Sequence, residues 1–224
     1  MNGPPVTTLL LARHGQTVWH AENRYAGGDS DIDLTPTGVE QARLLAAYAR
    51  DRGVDAVVAS PVRRARETAA PAGAALGVPV TVVEDLREVR FGIVEGRTLD
   101  EVAREEPDGA ALVDRFRADP VAHPFPGAEP VADAADRCVR ALRTIAAGAV
   151  AADAPGATVL VVAHNTLLRL ALCALLGVPV ARYRHVFPRL DNAAVTEIRL
   201  SPDPTRPTAL LSLNVPCGPP RAAP

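Results

Sequence analysis

Residues 7–17 read Thr-Thr-Leu-Leu-Leu-Ala-Arg-His-Gly-Gln-Thr: an apolar run without alternation, cut off at Arg13-His14-Gly15. A strand with one wet face alternates apolar and polar residues, whereas a continuous run belongs to a strand covered on both faces. Asp55–Ser60, Val80–Glu84 and Thr158–His164 repeat this pattern. Ala194–Leu200 and Ala209–Asn214 read as two further strands, closing the sheet as edge or antiparallel members. Between the strands, Pro36–Arg50, Pro61–Leu76, Ala132–Val150 and Thr166–Leu176 carry helical spacing. Thr35-Pro36 and Ser60-Pro61 each set a capping hydroxyl before a proline at the first helical position, and Gly77 and Gly177, each followed by Val-Pro, end two helices. Strand–helix alternation of this kind predicts an α/β fold, a three-layer α/β/α sandwich with a mainly parallel central sheet and helices on both faces.

The alternation breaks at Glu105–Pro130, a Pro- and charge-rich stretch that reads either as a lid over the carboxyl edge of the sheet or as a surface excursion. With 224 residues, 48% of them hydrophobic and 22% charged, the chain is expected to form a single domain over residues 1–215, followed by a disordered tail at 216–224. The net charge of −2 gives no footprint for nucleic acid. All 24 basic residues are Arg, which excludes a Schiff-base lysine and a P-loop lysine. Any anion must then be held by guanidinium forks, imidazoles or backbone N–H groups. Three scattered cysteines (Cys138, Cys173, Cys217) without metal-type spacing read as reduced thiols in a cytoplasmic protein. The longest apolar run, Leu170–Ala181, falls short of the roughly 20 residues a membrane span needs, so no membrane partner is expected.

Ligands in open α/β sheets bind at the carboxyl ends of strands, beside helix N-termini. Three such ends carry Arg13-His14, then Ser60 with Arg63, Arg64 and Arg66, and His164-Asn165. Two of the five histidines thus converge on one edge among guanidiniums, the equipment that phosphoryl transfer to imidazole requires. Arg63 and Arg66 read as solvated, and Phe116, Phe125 and Phe187 as core.

Four ordered blocks resemble the histidine phosphatase superfamily, the phosphoglycerate-mutase-like enzymes, over nearly the whole chain. They are Arg13-His14-Gly15-Gln16-Thr17 with Trp19, Asn23–Gly27 and Leu34…Ala42; Ser60…Arg64…Thr68-Ala69; Leu86-Arg87-Glu88…Gly96; and Val162-Ala163-His164. The resemblance implies that His14 is the nucleophile, that Arg13, Arg64 and His164 hold the phosphoryl oxygens, and that Glu88 is the general acid and base. It further implies phosphate or substrate contacts for Asn165, His20, Arg24 and Gly27, and it requires neither metal nor cofactor. Arg87 and Arg90 would oppose a protonated Glu88 if they faced it. His20 stands where the family usually has Asn, and Asn165 where it usually has Gly. The implied activity is a metal-independent phosphomonoesterase acting on a small phosphorylated metabolite through a phosphohistidine. A cofactor-dependent phosphoglycerate mutase and a non-catalytic phospho-ligand-binding member are the alternatives. The absence of Lys, and of an adjacent Arg pair within Ala111–Pro130, favours the phosphatase over the mutase.

Overall fold

The computed structural model describes residues 6–151 and 156–218. Six strands form one sheet: β1 (Thr7–Arg13), β2 (Ala56–Ala59), β3 (Val80–Val82), β4 (Thr158–Ala163), β5 (Val195–Leu200) and β6 (Ala209–Val215), in the spatial order β3-β2-β4-β1-β5-β6. The first four run parallel, and β5 and β6 join antiparallel. The helices are α1 (Val18–Ala21), α2 (Pro36–Asp51), α3 (Arg63–Leu76), α4 (Leu99–Glu105), α5 (Gly109–Ala118), α6 (Val131–Ala151), α7 (Asn165–Leu175) and α8 (Tyr183–Val186). Among the described residues no helix is long and apolar enough to cross a membrane.

The unbroken apolar runs have the reason the sequence suggested. Leu9 and Leu11 of β1 and Val159 and Val161 of β4 pack with α6 and α7. Leu10, Ala12, Leu160 and Val162 pack on the opposite face with α2 and α3. Successive side chains of one strand therefore feed two apolar layers. Val80–Glu84 departs from this reading. It is a three-residue strand at the sheet edge, and Thr81 and Val82 are exposed because β2 is its only neighbouring strand.

The Thr35 cap is as expected, its hydroxyl accepting the Gly38 N–H at 3.0 Å, and Gly77 ends α3 in the left-handed region. Ser60 does not cap α3. The helix begins two residues later than the motif suggested, with Val62 at the N-cap, and the Ser60 hydroxyl serves the site described below. Residues of the 105–130 stretch contribute α5 and join a small apolar cluster with the preceding segment, in which Val94, Val102, Val113, Phe116 and Phe125 are buried. Phe187 lies in the main core. Of the expected tail, Cys217 packs against the α2–α3 layer, and residues 219–224 lie outside the described residues.

The centre of the sheet decides where chemistry can occur. β4 lies between β1 and β2, so the carboxyl ends of all three strands open on one edge. The chain leaves β1 through a very tight passage: a Cβ on Gly38 would stand 2.1 Å from the Gln16 carbonyl oxygen, and one on Gly15 would stand 2.6 Å from that of Gly38. Only glycine at both positions lets the His14 loop lie against the start of α2.

Candidate active site

His14 is held by its neighbour. Its Nδ1 donates to the Gly15 carbonyl at 2.8 Å, which leaves the Nε2 lone pair bare and turned into the cavity, where the Nε–H of Arg64 meets it at 3.2 Å. His164 carries the complementary tautomer. Its Nδ1 accepts from Arg64 Nη2 at 3.3 Å, and its Nε2 donates to Ser60 Oγ at 2.7 Å. This is why Ser60 is unavailable as a helix cap. The two rings stand 5.2 Å apart. Burial, and then the field of Arg64, hold both histidines well below the ordinary imidazole value, so both are neutral near pH 7.

Arg64 is fully buried, and a short scaffold positions it. The carbonyls of Ser30, Gly27 and Ala26 accept its terminal N–H groups at 2.8, 3.0 and 3.2 Å. The Glu95 carboxylate fixes that segment by accepting from the Ser30 hydroxyl at 2.7 Å and the Asp29 N–H at 3.1 Å. Gly27 is thus a support rather than part of the pocket wall, and a Cβ there would meet the Glu95 carboxylate at 2.6 Å.

Glu88 is buried against the start of α7. Oε1 accepts the N–H groups of Val89 and Leu167, each at 2.9 Å, and Oε2 accepts that of Thr166 at 3.0 Å. A carboxylate offers about four lone-pair sites, so Oε2 keeps one free to carry a proton. Burial raises the Glu88 pKa, while the three backbone amides oppose the shift without cancelling it. Arg87 points away, donating to the Gly28 carbonyl and pairing with Glu84. Arg137 steadies the loop by donating to the carbonyls of Asp85, Arg87 and Glu88.

Arg13 donates to the Leu190 carbonyl at 2.8 Å, and its other terminal nitrogen meets Nε2 of His20. Because His20 Nδ1 accepts the Thr17 N–H at 2.9 Å, the ring proton of a neutral His20 sits on Nε2 and faces a second donor. An anionic oxygen seated beside the pair would accept from both. Burial lowers Arg13 and Arg64 to about 10 and His20 to about 4. The Arg13 Nε is buried without a partner, a further donor left for a ligand.

Two other residues expected at the substrate line the cavity and make hydrogen bonds of their own. Arg24 borders the pocket, yet its guanidinium is committed to Glu101 at 2.7 and 2.9 Å, to Glu22 and to the Gly96 carbonyl, which ties the segment to α4. The Asn165 side chain accepts the Leu190 N–H at 3.0 Å. Arg63 pairs with Asp33 and Glu67, and Arg66 is exposed.

Arg13, His14, His20, Arg24, Glu88 and Asn165 line a cavity of about 340 Å³, bounded further by Tyr25, Phe91, Arg169, Tyr183 and Arg184, while Arg64 and His164 pack against His14 rather than in the cavity wall. No residue of 105–130 enters its wall. Phe116 stands behind it, beneath Arg184 and Tyr25. A larger cavity of about 520 Å³ lies between α2 and the chain end, without a histidine in its wall. Sequence reasoning missed Arg169 and Arg184. The signal for Arg169 was its place inside Leu167-Leu-Arg-Leu-Ala-Leu, an otherwise apolar helical run.

Comparison with known proteins finds relatives in sequence and in structure. "Bifunctional protein Rv2228c" of Mycobacterium tuberculosis is 42% identical over 177 residues, which are 77% of this chain and 46% of that protein, so the chain spans about half the length of this relative. Mycobacterial glucosyl-3-phosphoglycerate phosphatase Rv2419c, solved with VO3, superposes with a TM-score of 0.76 at 30% identity over 94% of this chain and 99% of its own. Phosphoserine phosphatase of Entamoeba histolytica, solved with 3-phosphoglyceric acid, gives 0.74 at 25% identity over 93% and 96%. The family model of the histidine phosphatase superfamily, branch 1, matches residues 9–212, from the strand that delivers His14 to the last strand of the sheet, and the chain belongs to that superfamily.

Proposed function

We propose that the protein is a metal-independent phosphomonoesterase acting on a small phosphorylated metabolite through a phosphohistidine on His14. The observation that carries this is the fixed tautomer of His14: Nδ1 is tied to the Gly15 carbonyl and Nε2 is a neutral lone pair inside a ring of cationic donors. Neutral imidazole is the nucleophilic form, and burial among arginines keeps it so. Two solved neighbours named as phosphatases, of glucosyl-3-phosphoglycerate and phosphoserine, support the reaction class.

In this reading a phosphate dianion draws the Arg64 hydrogen bonds from His14 Nε2 and His164 Nδ1 to its own oxygens, and its charge lets His164 take a proton at Nδ1 and donate to them beside Arg13 and His20. Nε2 attacks phosphorus as the ester P–O bond breaks, and the leaving oxygen takes the proton held on Glu88. A water then attacks the phosphohistidine, Glu88 recovers a proton from it, and the P–N bond breaks to return neutral His14 and inorganic phosphate. The charge that spreads over the phosphoryl oxygens is met by donors already in place, the largest usual source of such catalysis.

The test is phosphate release from a panel of phosphomonoesters in the presence of a chelator, beside His14→Ala, with isomerisation of 3-phosphoglycerate followed in parallel. Release that vanishes in a folded His14→Ala variant, with acid-labile, base-stable phosphate trapped on the wild type by rapid quenching, is expected. Isomerisation without release would make the protein a mutase. Undiminished release by the variant would remove His14 from the nucleophile role.

A further inference from the structure

The phosphoryl donors share the cavity with cations that this role does not use. Arg169 lies on α7, four residues beyond Asn165 and three beyond Thr166, hence on the same helix face as the residues at the Glu88 end of the site. It is 6% exposed and lines the cavity. Its Nε donates to the Phe187 carbonyl, and its two terminal nitrogens make no hydrogen bond with any described residue. Its guanidinium stands over the Tyr183 ring at 4.8 Å. Arg184 comes from α8, lies over Phe116 at 4.7 Å and Tyr183 at 5.6 Å, and donates its Nε to the Tyr183 hydroxyl at 3.0 Å. The aromatic rings therefore fix both planes; the terminal N–H groups of Arg169 stay free, and Arg184 interacts besides only with the Tyr25 side chain, another wall of the cavity.

Neither guanidinium has a carboxylate partner among the described residues, whereas Arg24, Arg63, Arg97 and Arg137 are all paired with acids. The one carboxylate among the leading influences on Arg169 is Glu88, and its oxygens are already engaged by Val89, Thr166 and Leu167. Arg184 and Arg169 repel each other, as do Arg169 and Arg13. A nearly buried guanidinium with idle donors, in a row of like charges, is costly on its own and is compensated by an anion that bridges it.

We infer that Arg169 and Arg184 form a second anion subsite in the same cavity, so that the substrate is a small phosphomonoester carrying another anionic group, a carboxylate or a second phosphate, beyond the scissile one. This deepens the phosphatase reading and rests on it for the word substrate, while the subsite itself is a matter of binding. The cavity, about 340 Å³, suits a metabolite of this size. Tyr25 and Tyr183 flank the cations and bound the space open to the rest of the molecule.

The experiment is calorimetric titration of the His14→Ala variant, which cannot turn over its ligand, with three probes of one carbon skeleton: glycerol 3-phosphate, 3-phosphoglycerate and 1,3-propanediol bisphosphate. The first has a neutral tail, the second a carboxylate and the third another phosphate. At least one anionic-tail probe is expected to bind about tenfold or more tightly than glycerol 3-phosphate, as replacing an unpaired buried charge by a bidentate pair allows. Which one does so identifies the anion. Adding Arg169→Gln or Arg184→Gln should bring that ratio toward one. Arg184, half-buried and without a carbonyl to hold, serves as the second probe should Arg169→Gln fail to fold. Equal binding of all three probes, or a preference that survives both substitutions, would overturn the subsite. Preference without hydrolysis of any ester by the wild type would keep the subsite and refute the phosphatase; His14-dependent hydrolysis without preference would do the reverse.

Discussion

Replacing Glu88 by Gln separates chemistry from architecture at one position. The carboxylate accepts three backbone N–H groups, two at Oε1 and one at Oε2. An amide oxygen in the Oε1 place keeps the bonds from Val89 and Leu167, and the amide nitrogen then faces the Thr166 N–H, donor against donor. One buried donor left unmet costs about 1–3 kcal/mol. Part of this is returned, because the variant no longer buries an ionisable group whose pKa is raised by desolvation. The sign follows: a carboxyl with a raised folded pKa lends stability that is complete below its unfolded value and lost as pH rises through the folded one. Glu88→Gln should therefore be most destabilised relative to wild type at low pH, with the gap narrowing toward neutrality. Catalytically, the variant lacks the proton for the leaving oxygen. An alkyl ester such as glycerol 3-phosphate should lose about 10²–10⁴ in the rate of phosphohistidine formation, as general acid catalysis usually contributes, while p-nitrophenyl phosphate should lose less than about tenfold, since its leaving group departs unprotonated. The assay is single-turnover quenching of the first half-reaction, because the second half uses the same carboxyl whatever the ester. With the aryl ester, phosphorylated protein should accumulate. Equal slowing of the first step with both esters would refute the acid role and reduce Glu88 to a cap on α7.

Acid should destabilise the fold steeply. His14, His20 and His164 have lowered pKa values, so their neutral-state stability is complete above about 6.5 and is lost as pH falls, each adding about 1.4 kcal/mol per pH unit while only the unfolded chain takes the proton. Urea melts from pH 7 to 4 check this, and added inorganic phosphate should flatten the slope by favouring the protonated rings. His20→Asn removes the donor facing Arg13 while keeping an amide at the position; kcat should hold or rise, and complete loss would give the imidazole its own part in the chemistry. Gly38→Ala, whose Cβ would sit 2.1 Å from the Gln16 carbonyl, should cost about 2 kcal/mol or more in chemical denaturation and lower phosphate affinity with it, since the His14 loop must move to admit the methyl.

What the sequence disclosed and what it hid divide along the kind of partner involved. The strands and the three converging ends were legible because a run such as Leu9–Ala12 has one explanation, burial on both faces, and its abrupt end at Arg13-His14 marks where the sheet meets its ligand edge. Glu88 was legible only through the family's pattern. Its partners are backbone amides about eighty residues away at the start of α7, and a backbone amide leaves no residue type in the sequence to find. The Ser60-Pro61 motif misplaced the helix start because local capping chemistry competes with a distant ring, and His164 took the hydroxyl. Arg24 was expected at the substrate for its place in a motif, but Glu101, which claims it, lies far along the chain in α4.

The arginines sharpen this distinction. In a chain without Lys, every cation is a fork able to hold a carboxylate, and many do. Most of the described arginines without one are exposed, but Arg13, Arg64, Arg169 and Arg184 gather around one cavity or the histidines within it. Burial is the largest reason that Arg13 and Arg64 fall to about 10, so the site by itself is held at a cost in stability that the surrounding sheet ends and loops must sustain. Such a cluster is not what folding selects, because the one acid among them, Glu88, is itself pushed toward its neutral form by burial. Its persistence is best explained by an occupant that supplies the missing negative charge. A phosphate alone satisfies the donors beside His14, whereas Arg169 and Arg184, without a carboxylate partner among the described residues, call for a ligand that carries a second anionic group.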